Sequence, residues 1–189
     1  MFYIGGKITK KNRMEKAELK IDYTVYKESY PEGYEELCRA ALNVTKNAYC
    51  EYSGFAVGAA VLMNNGEVIC GTNQENVAYP SGLCAERTAL FYACSAYPET
   101  GIKAIAIAAY AHGVEVDENV TPCGACRQVM AEIIQRYKVD FDVIMIGKKR
   151  TVLIKASQLL PFSFVMSWKC QWKEKGIGFI KLELGVMLL

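Results

Sequence analysis

Cys84-Ala85-Glu86-Arg87, leading into the apolar run Thr88 to Ala96, and Pro122-Cys123-Gly124-Ala125-Cys126, leading into Arg127-Gln128-Val129-Met130-Ala131, are the two stretches on which the fold turns. Both read as helix starts, because each stands immediately before a periodic apolar segment and the second is opened by proline. Two helix N-termini aimed at one point place Cys84, Cys123 and Cys126 around a shared metal, with Glu86 over the remaining coordination position. Structural zinc sites are closed by four protein ligands, whereas catalytic ones keep a position open for water. Three cysteines and a neighbouring glutamate read as the second kind. The competing reading is a closed structural site, which needs a fourth ligand such as Cys70 or Cys94 and would make the chain a zinc-held binding module.

Outward from these two helix starts, the pattern alternates. Pro31 to Cys50 is expected as a first helix: Pro31 suits a helix start, and Tyr34, Leu37, Cys38, Ala41, Leu42 and Ala48 fall near one stripe. Phe55 to Met63 reads as a buried strand, Asn64-Asn65-Gly66 as a tight turn and Glu67 to Thr72 as its antiparallel return. A polar loop through Tyr79-Pro80-Ser81-Gly82 reaches the second helix, Cys84 to Ala96. Ile102 to Tyr110 is a strongly apolar strand. A loop through His112 and Asp117 precedes the third helix, Cys123 to Tyr137. Phe141 to Ile146 and Thr151 to Lys155 complete the strands, and Ala156 to Leu160 makes a short helix stopped by Pro161. The order α-β-β-α-β-α-β-β predicts an α/β fold, a three-layer α-β-α sandwich around a five-stranded mixed sheet. Ala17 to Glu28 allows one further edge strand. The division expected is an N-terminal extension over 1–30, the domain proper over 31–164 and a C-terminal extension over 165–189, in which 178–189 can form a strand.

Size and charge narrow the function. At 189 residues, 52% of them apolar, the chain holds one domain with a substantial core. A net charge of +2 creates no global field favouring nucleic acid or an anionic membrane. No apolar stretch has the length of a spanning helix, and the N-terminus lacks the apolar core of a signal peptide. The eight cysteines are therefore expected to stay reduced, in the cytoplasm. The Asn-x-Thr triplets at Asn43 and Asn119 then carry no glycosylation meaning. Cys38 and Cys50 read as small buried hydrophobes and His112 as a solvated loop residue.

Three thiolates leave a zinc site with a formal charge of minus one, which weakens the ion as an acid. Two helix N-termini offset this, each by up to about 2 kcal/mol in partly buried geometry. Arg87 and Arg127, adjacent to the ligands, are expected to donate hydrogen bonds to sulfur. Glu86 then takes the proton of an activated water and passes it on. Such a site attacks an electrophilic carbon and protonates what leaves. Cysteine ligands with a nearby glutamate that is not a ligand are the signature of zinc deaminases.

Several blocks resemble the small cytidine deaminases: Phe55-Ala56-Val57-Gly58, Asn73-Gln74-Glu75-Asn76, Cys84-Ala85-Glu86-Arg87-Thr88-Ala89, Pro122-Cys123-Gly124-Ala125-Cys126-Arg127-Gln128, and Leu159-Leu160-Pro161 with Phe164. The resemblance runs from about Gly33 to Phe164. It implies one zinc ion per subunit on Cys84, Cys123 and Cys126, with Glu86 as proton shuttle. It implies that the Ala85 N–H holds the ring carbonyl, that Asn73 and Glu75 grip the ribose hydroxyls and that Phe55 lies against the base. Thr121 would offer its carbonyl to the leaving amine, and Arg87 would bond the thiolates. The resemblance further implies a homotetramer in which Tyr79 and Phe164 cross to a neighbouring site, and a place in pyrimidine salvage. The substrate implied is free cytidine or deoxycytidine; a cytosine-containing antibiotic nucleoside is the nearest alternative. Polynucleotides are disfavoured, because the histidine-ligand form of the motif and a basic stripe with interleaved aromatics are both lacking. Glu75 would also repel a phosphate.

Overall fold

The computed structural model describes residues 17–165. Its elements run β1 (Tyr23–Lys27), α1 (Glu35–Val44), β2 (Phe55–Met63), β3 (Val68–Thr72), α2 (Ala85–Ala96), β4 (Ile102–Ala111), β5 (Val114–Glu115), α3 (Gly124–Tyr137), β6 (Asp142–Met145) and β7 (Arg150–Lys155). Short 3-10 turns lie at Thr45–Asn47, Tyr79–Ser81 and Ala156–Leu159. The strands form one sheet in the order β1-β7-β6-β4-β2-β3, with β5 paired to β4. Only β4 and β6 run parallel, joined by the α3 crossover; the other pairs are antiparallel. The expected mixed sheet between helices is therefore present.

Strand β4 shows why there are three layers. Side chains of a strand alternate between its faces. Ile105 and Ile107 pack with Ala89, Leu90 and Ala93 of α2 and with Met130 and Ile133 of α3. Ala104, Ala106 and Ala108 point the other way, against Leu37, Cys38 and Ala41 of α1. The small side chains on the second face let one helix lie close, while the isoleucines fill the space beneath two. All these residues are buried.

Among the described residues the sheet has seven strands, not five. One addition is β1, the edge strand that Ala17 to Glu28 allowed, paired with β7 from Tyr23↔Ile154 to Lys27↔Arg150. The other, β5, lies where a plain loop was expected. His112 and Gly113 both take positive φ, 48° and 81°, so they turn the chain in two residues and bring Val114 back onto Ala111. Helix α1 is shorter than the predicted span from Pro31 to Cys50. Thr45 bonds its own hydroxyl back to the Leu42 carbonyl at 2.7 Å as the chain tightens into a 3-10 turn. The expected strand over 178–189, and Cys170, lie outside the described residues.

At the other edge of the sheet, β3 touches α2 backbone to backbone at Gly71. A Cβ there would stand 2.5 Å from the Ala89 nitrogen and 3.0 Å from the Ala85 carbonyl oxygen. Neither neighbour is the end of a flexible side chain, so relief requires moving the helix. Gly71→Ala should cost about 1–3 kcal/mol, the usual range for overpacking, read as a lower midpoint in denaturant unfolding.

Opposite, the Tyr34 hydroxyl donates to Asp142 Oδ2 at 2.8 Å and ties the entry of α1 to β6. Burial, and then this bond, push the phenol up to about 12 from its ordinary 10.0. A raised folded value means the tie contributes fully below pH 10 and is lost as pH climbs through 12. Melts across that window should show a stability loss that is smaller in Tyr34→Phe than in the parent protein.

Candidate active site

Cys84 and Cys123 occupy the N-cap positions of α2 and α3, in extended backbone, and neither caps its helix through its side chain. Residues that usually sit there, Ser, Thr, Asp or Asn, turn their oxygen onto the helix amides. Cysteine leaves its sulfur free. Cys126, in the first turn of α3, is buried and completes the group. The sulfurs of Cys84 and Cys123 are 3.7 Å apart, those of Cys123 and Cys126 3.4 Å, and all three lie within 4.8 Å of one another. Thiolates about 2.3 Å from a tetrahedral zinc would be about 3.8 Å apart, so the donor set fits that ion. Among the described residues no fourth ligand joins them. Cys70 lies exposed on β3, and Cys94 lies in the last turn of α2, three turns from Cys84.

Arg87 reaches back one turn to put its guanidinium NH2 3.7 Å from Cys84 Sγ. Its Nε is buried without a partner, a donor that ionised sulfur would satisfy. The Cys84 thiol is held down to about 5, first by a bond from the Cys126 thiol and then by Arg87. The Cys126 thiol, giving its proton to that bond and buried, is pushed up. The lowered Cys84 thiol favours the thiolate form, the form in which cysteine binds a metal ion. Arg127 departs from expectation. It donates to the carbonyls of Pro122 at 2.8 Å and Leu159 at 3.2 Å, not to sulfur. It thus fixes the turn before Cys123 instead of tuning the ligands.

Glu86 follows on the first turn of α2 and is 5% exposed. Burial raises its carboxyl pKa, and the Cys84 thiolate adds to the shift. An acid whose proton is retained more readily than usual, beside three thiols, suits proton transfer. It lines a cavity of about 650 Å³ together with Cys84, Arg87, Cys123, Phe55, Asn73, Glu75, Tyr79 and Thr121. Ala85, fully buried at the opening of α2, is not among the lining residues; its N–H is one of the first-turn amides without an intrahelical acceptor. Tyr79, 78% exposed, lies on the wall of its own chain's cavity. Phe164 does not line it. Gln128 pins the Phe164 backbone through both N–H and C=O, and the ring is 71% exposed.

The two residues expected at the sugar are both partly committed. Asn73 Oδ1 accepts from the Val57 N–H at 2.7 Å and its Nδ2 donates to the Phe55 carbonyl at 2.8 Å. Its amide thereby continues the ladder one residue beyond the end of β3. Glu75 accepts the Tyr52 N–H at 2.8 Å and the Ser53 N–H at 3.3 Å on Oε2, and the Ser53 hydroxyl on Oε1. The Ser53 hydroxyl leads the causes that hold this carboxyl below the ordinary carboxylate range. By the usual capacities of these groups, Asn73 retains one N–H and one lone pair, and Glu75 about one acceptor site. Neither Ser53 nor Tyr52 stands out in the sequence; the sole cue is that a hydroxyl precedes Phe55 by two residues.

Residues 31–140 match the family described as the cytidine and deoxycytidylate deaminase zinc-binding region. A protein of Halalkalibacterium halodurans named cytidine deaminase is 43% identical over 129 residues, 68% of this chain and 91% of that protein. A Dictyostelium discoideum protein named probable cytidine deaminase is 37% identical over 134 residues, 70% of this chain and 84% of its own. The crystal structure of cytidine deaminase from Burkholderia pseudomallei superposes with a TM-score of 0.59 at 38% identity, covering 69% of this chain and 98% of that one. That of the Mycobacterium tuberculosis enzyme gives 0.57 at 30% identity, covering 72% and 100%. The three cysteines at two helix starts, the buried glutamate beside them and these matches together place the chain in the zinc-binding cytidine and deoxycytidylate deaminase family.

Proposed function

We propose that the protein hydrolyses free cytidine and deoxycytidine to uridine and deoxyuridine, releasing one ammonia for each water consumed. The observation that carries this reading is Glu86, a buried carboxyl of raised pKa at the cavity wall next to three clustered thiols. Cys84, Cys123 and Cys126 would hold one zinc ion, and the ion supplies Lewis acidity that makes a water reactive at neutral pH. Glu86 takes the proton that this water gives up and delivers it to the pyrimidine ring nitrogen. It then carries the second water proton to the departing amino group, so each proton lost by water is found on product. The Ala85 N–H opposes the ring carbonyl and the Thr121 carbonyl accepts from the leaving amine. Phe55 gives a flat apolar face to the base.

The remaining hydrogen-bonding capacity suits a sugar diol: one N–H on Asn73 for a hydroxyl oxygen, one acceptor site on Glu75 for a hydroxyl proton. This pairing favours an ordinary ribose over an antibiotic nucleoside. Glu75 and Glu86 both line the cavity, which makes a phosphorylated substrate electrostatically unfavourable. We further infer a homotetramer acting in the cytoplasm in pyrimidine salvage, with exposed Phe164 and Tyr79 available to neighbouring sites. Among the described residues no helix is long and apolar enough to cross a membrane.

Glu86→Gln keeps the size of the side chain and removes its capacity to take a proton. It should retain zinc, measured by metal analysis, and lose at least about a thousandfold in kcat on cytidine, within the range of general acid–base catalysis. Turnover within tenfold of the parent enzyme would sink the shuttle role. Stripping the metal with a chelator should abolish ammonia release, and added zinc should restore it; full activity of a verified metal-free protein would overturn the zinc chemistry.

A further inference from the structure

We propose that Ser53 is a positioning residue for the sugar end of the substrate, acting through Glu75. The proposal rests on the reading above that the cavity takes a nucleoside. Its basis is a short relay of hydrogen bonds in the turn before β2. The Ser53 hydroxyl donates to Glu75 Oε1, and the same oxygen accepts the Phe55 N–H at 3.0 Å. The hydroxyl therefore has a fixed polarity. Its proton faces Glu75 because the other side already receives an N–H.

Three consequences follow from counting groups. First, Oε2 of Glu75 is filled by the Tyr52 and Ser53 amides, so only Oε1 has room for another donor. The Ser53 proton occupies one side of Oε1 and leaves the other for a sugar hydroxyl. Second, the carboxylate is charged and anchored by three donors, so it reaches the substrate without having to be oriented on binding. Third, the turn itself is braced. Gly54 takes φ 64°, its N–H bonds to the Cys50 carbonyl at 2.8 Å, and its carbonyl accepts the His112 N–H at 2.8 Å. Ser53 thus joins the residue expected under the base, Phe55, to the one expected at the sugar, Glu75. It touches neither the metal ligands nor the proton shuttle.

Ser53→Ala would free Oε1 to turn toward solvent, in an exposed loop where water can replace the lost bonds. The effect should fall on binding. With cytidine, KM should rise about tenfold, the size of one hydrogen bond to a charged group, while kcat changes by less than about threefold. With 2′,3′-dideoxycytidine, whose sugar offers Glu75 no secondary hydroxyl, KM should move by less than about twofold. Ser53→Thr, which retains the hydroxyl, should restore most of the cytidine KM. Ser53→Ala combined with Glu75→Gln should be no worse than Glu75→Gln alone. Equal KM rises on both substrates, additivity with Glu75→Gln, failure of the threonine variant to rescue, or an unchanged cytidine KM would each overturn the proposal. Absence of cytidine turnover in the parent enzyme would instead overturn the nucleoside reading, and the role of Ser53 with it.

Discussion

Two helices have to begin at one point. Cys84 and Cys126 are far apart along the chain, yet their sulfurs belong to one group spanning less than 4.8 Å. A displacement of either helix by one residue, about 1.5 Å along its axis, would break the donor set. Rigid backing therefore matters more than the ligands themselves. For α2 it comes from the backbone contact at Gly71, in the strand that leads toward the site. For α3 it comes from the turn before it. Arg127 reaches back to the Pro122 carbonyl and across to Leu159, fastening the start of the helix to the segment after β7. The loop ahead of Pro122 is held in turn by the β6–β7 hairpin, whose Lys148 and Lys149 amides donate to the Val116 and Asp117 carbonyls. The sheet serves as a jig for two helix ends.

The substrate wall is built with the same economy but from side chains. Strand β3 stops at Thr72, opposite Gly58, so Phe55 to Val57 at the start of β2 are left without a β3 partner. Asn73 supplies the missing donor and acceptor from its amide, and Glu75 captures the turn before β2 through two backbone N–H groups and a hydroxyl. Each residue stabilises the fold with part of its capacity and retains a remainder, which the proposed sugar contact would use. Recognition groups held this way need little ordering on binding, which lowers the entropic cost.

Much of this was legible in the sequence, for identifiable reasons. Strands β2 and β4 are long apolar runs, and the helix starts at Cys84 and Cys123 are marked by proline or by the onset of an apolar stretch, so their bounds follow closely. The meeting of Cys84, Cys123 and Cys126 was legible because spacing and residue type coincide. What escaped depends on backbone conformation or on partners distant in the chain. The β5 hairpin requires positive φ at His112, a residue with no strong preference for it. The direction of Arg127 depends on a carbonyl near residue 159, which adjacency to Cys126 does not predict. Ser53 is ordinary until Glu75 is seen beside it.

The corrected position of Arg127 changes the electrostatics of the metal site. Three thiolates and a divalent ion sum to minus one. With both arginines on sulfur the surroundings would carry two full positive charges besides the helix ends. With Arg127 bound to carbonyls, one guanidinium remains, that of Arg87, along with two helix N-termini worth about half a charge each. The terms are then minus one from the donor set, plus one from Arg87 and about plus one from the helix ends, which leaves an excess of about one positive charge before screening at the exposed Cys123. The burial of Glu86 bears on the proton-transfer role proposed for it. In water its carboxyl would lose the proton at a pH far below neutrality. Desolvation, reinforced by the adjacent thiolate, raises its affinity for a proton, the direction that the proposed role of accepting and releasing one requires.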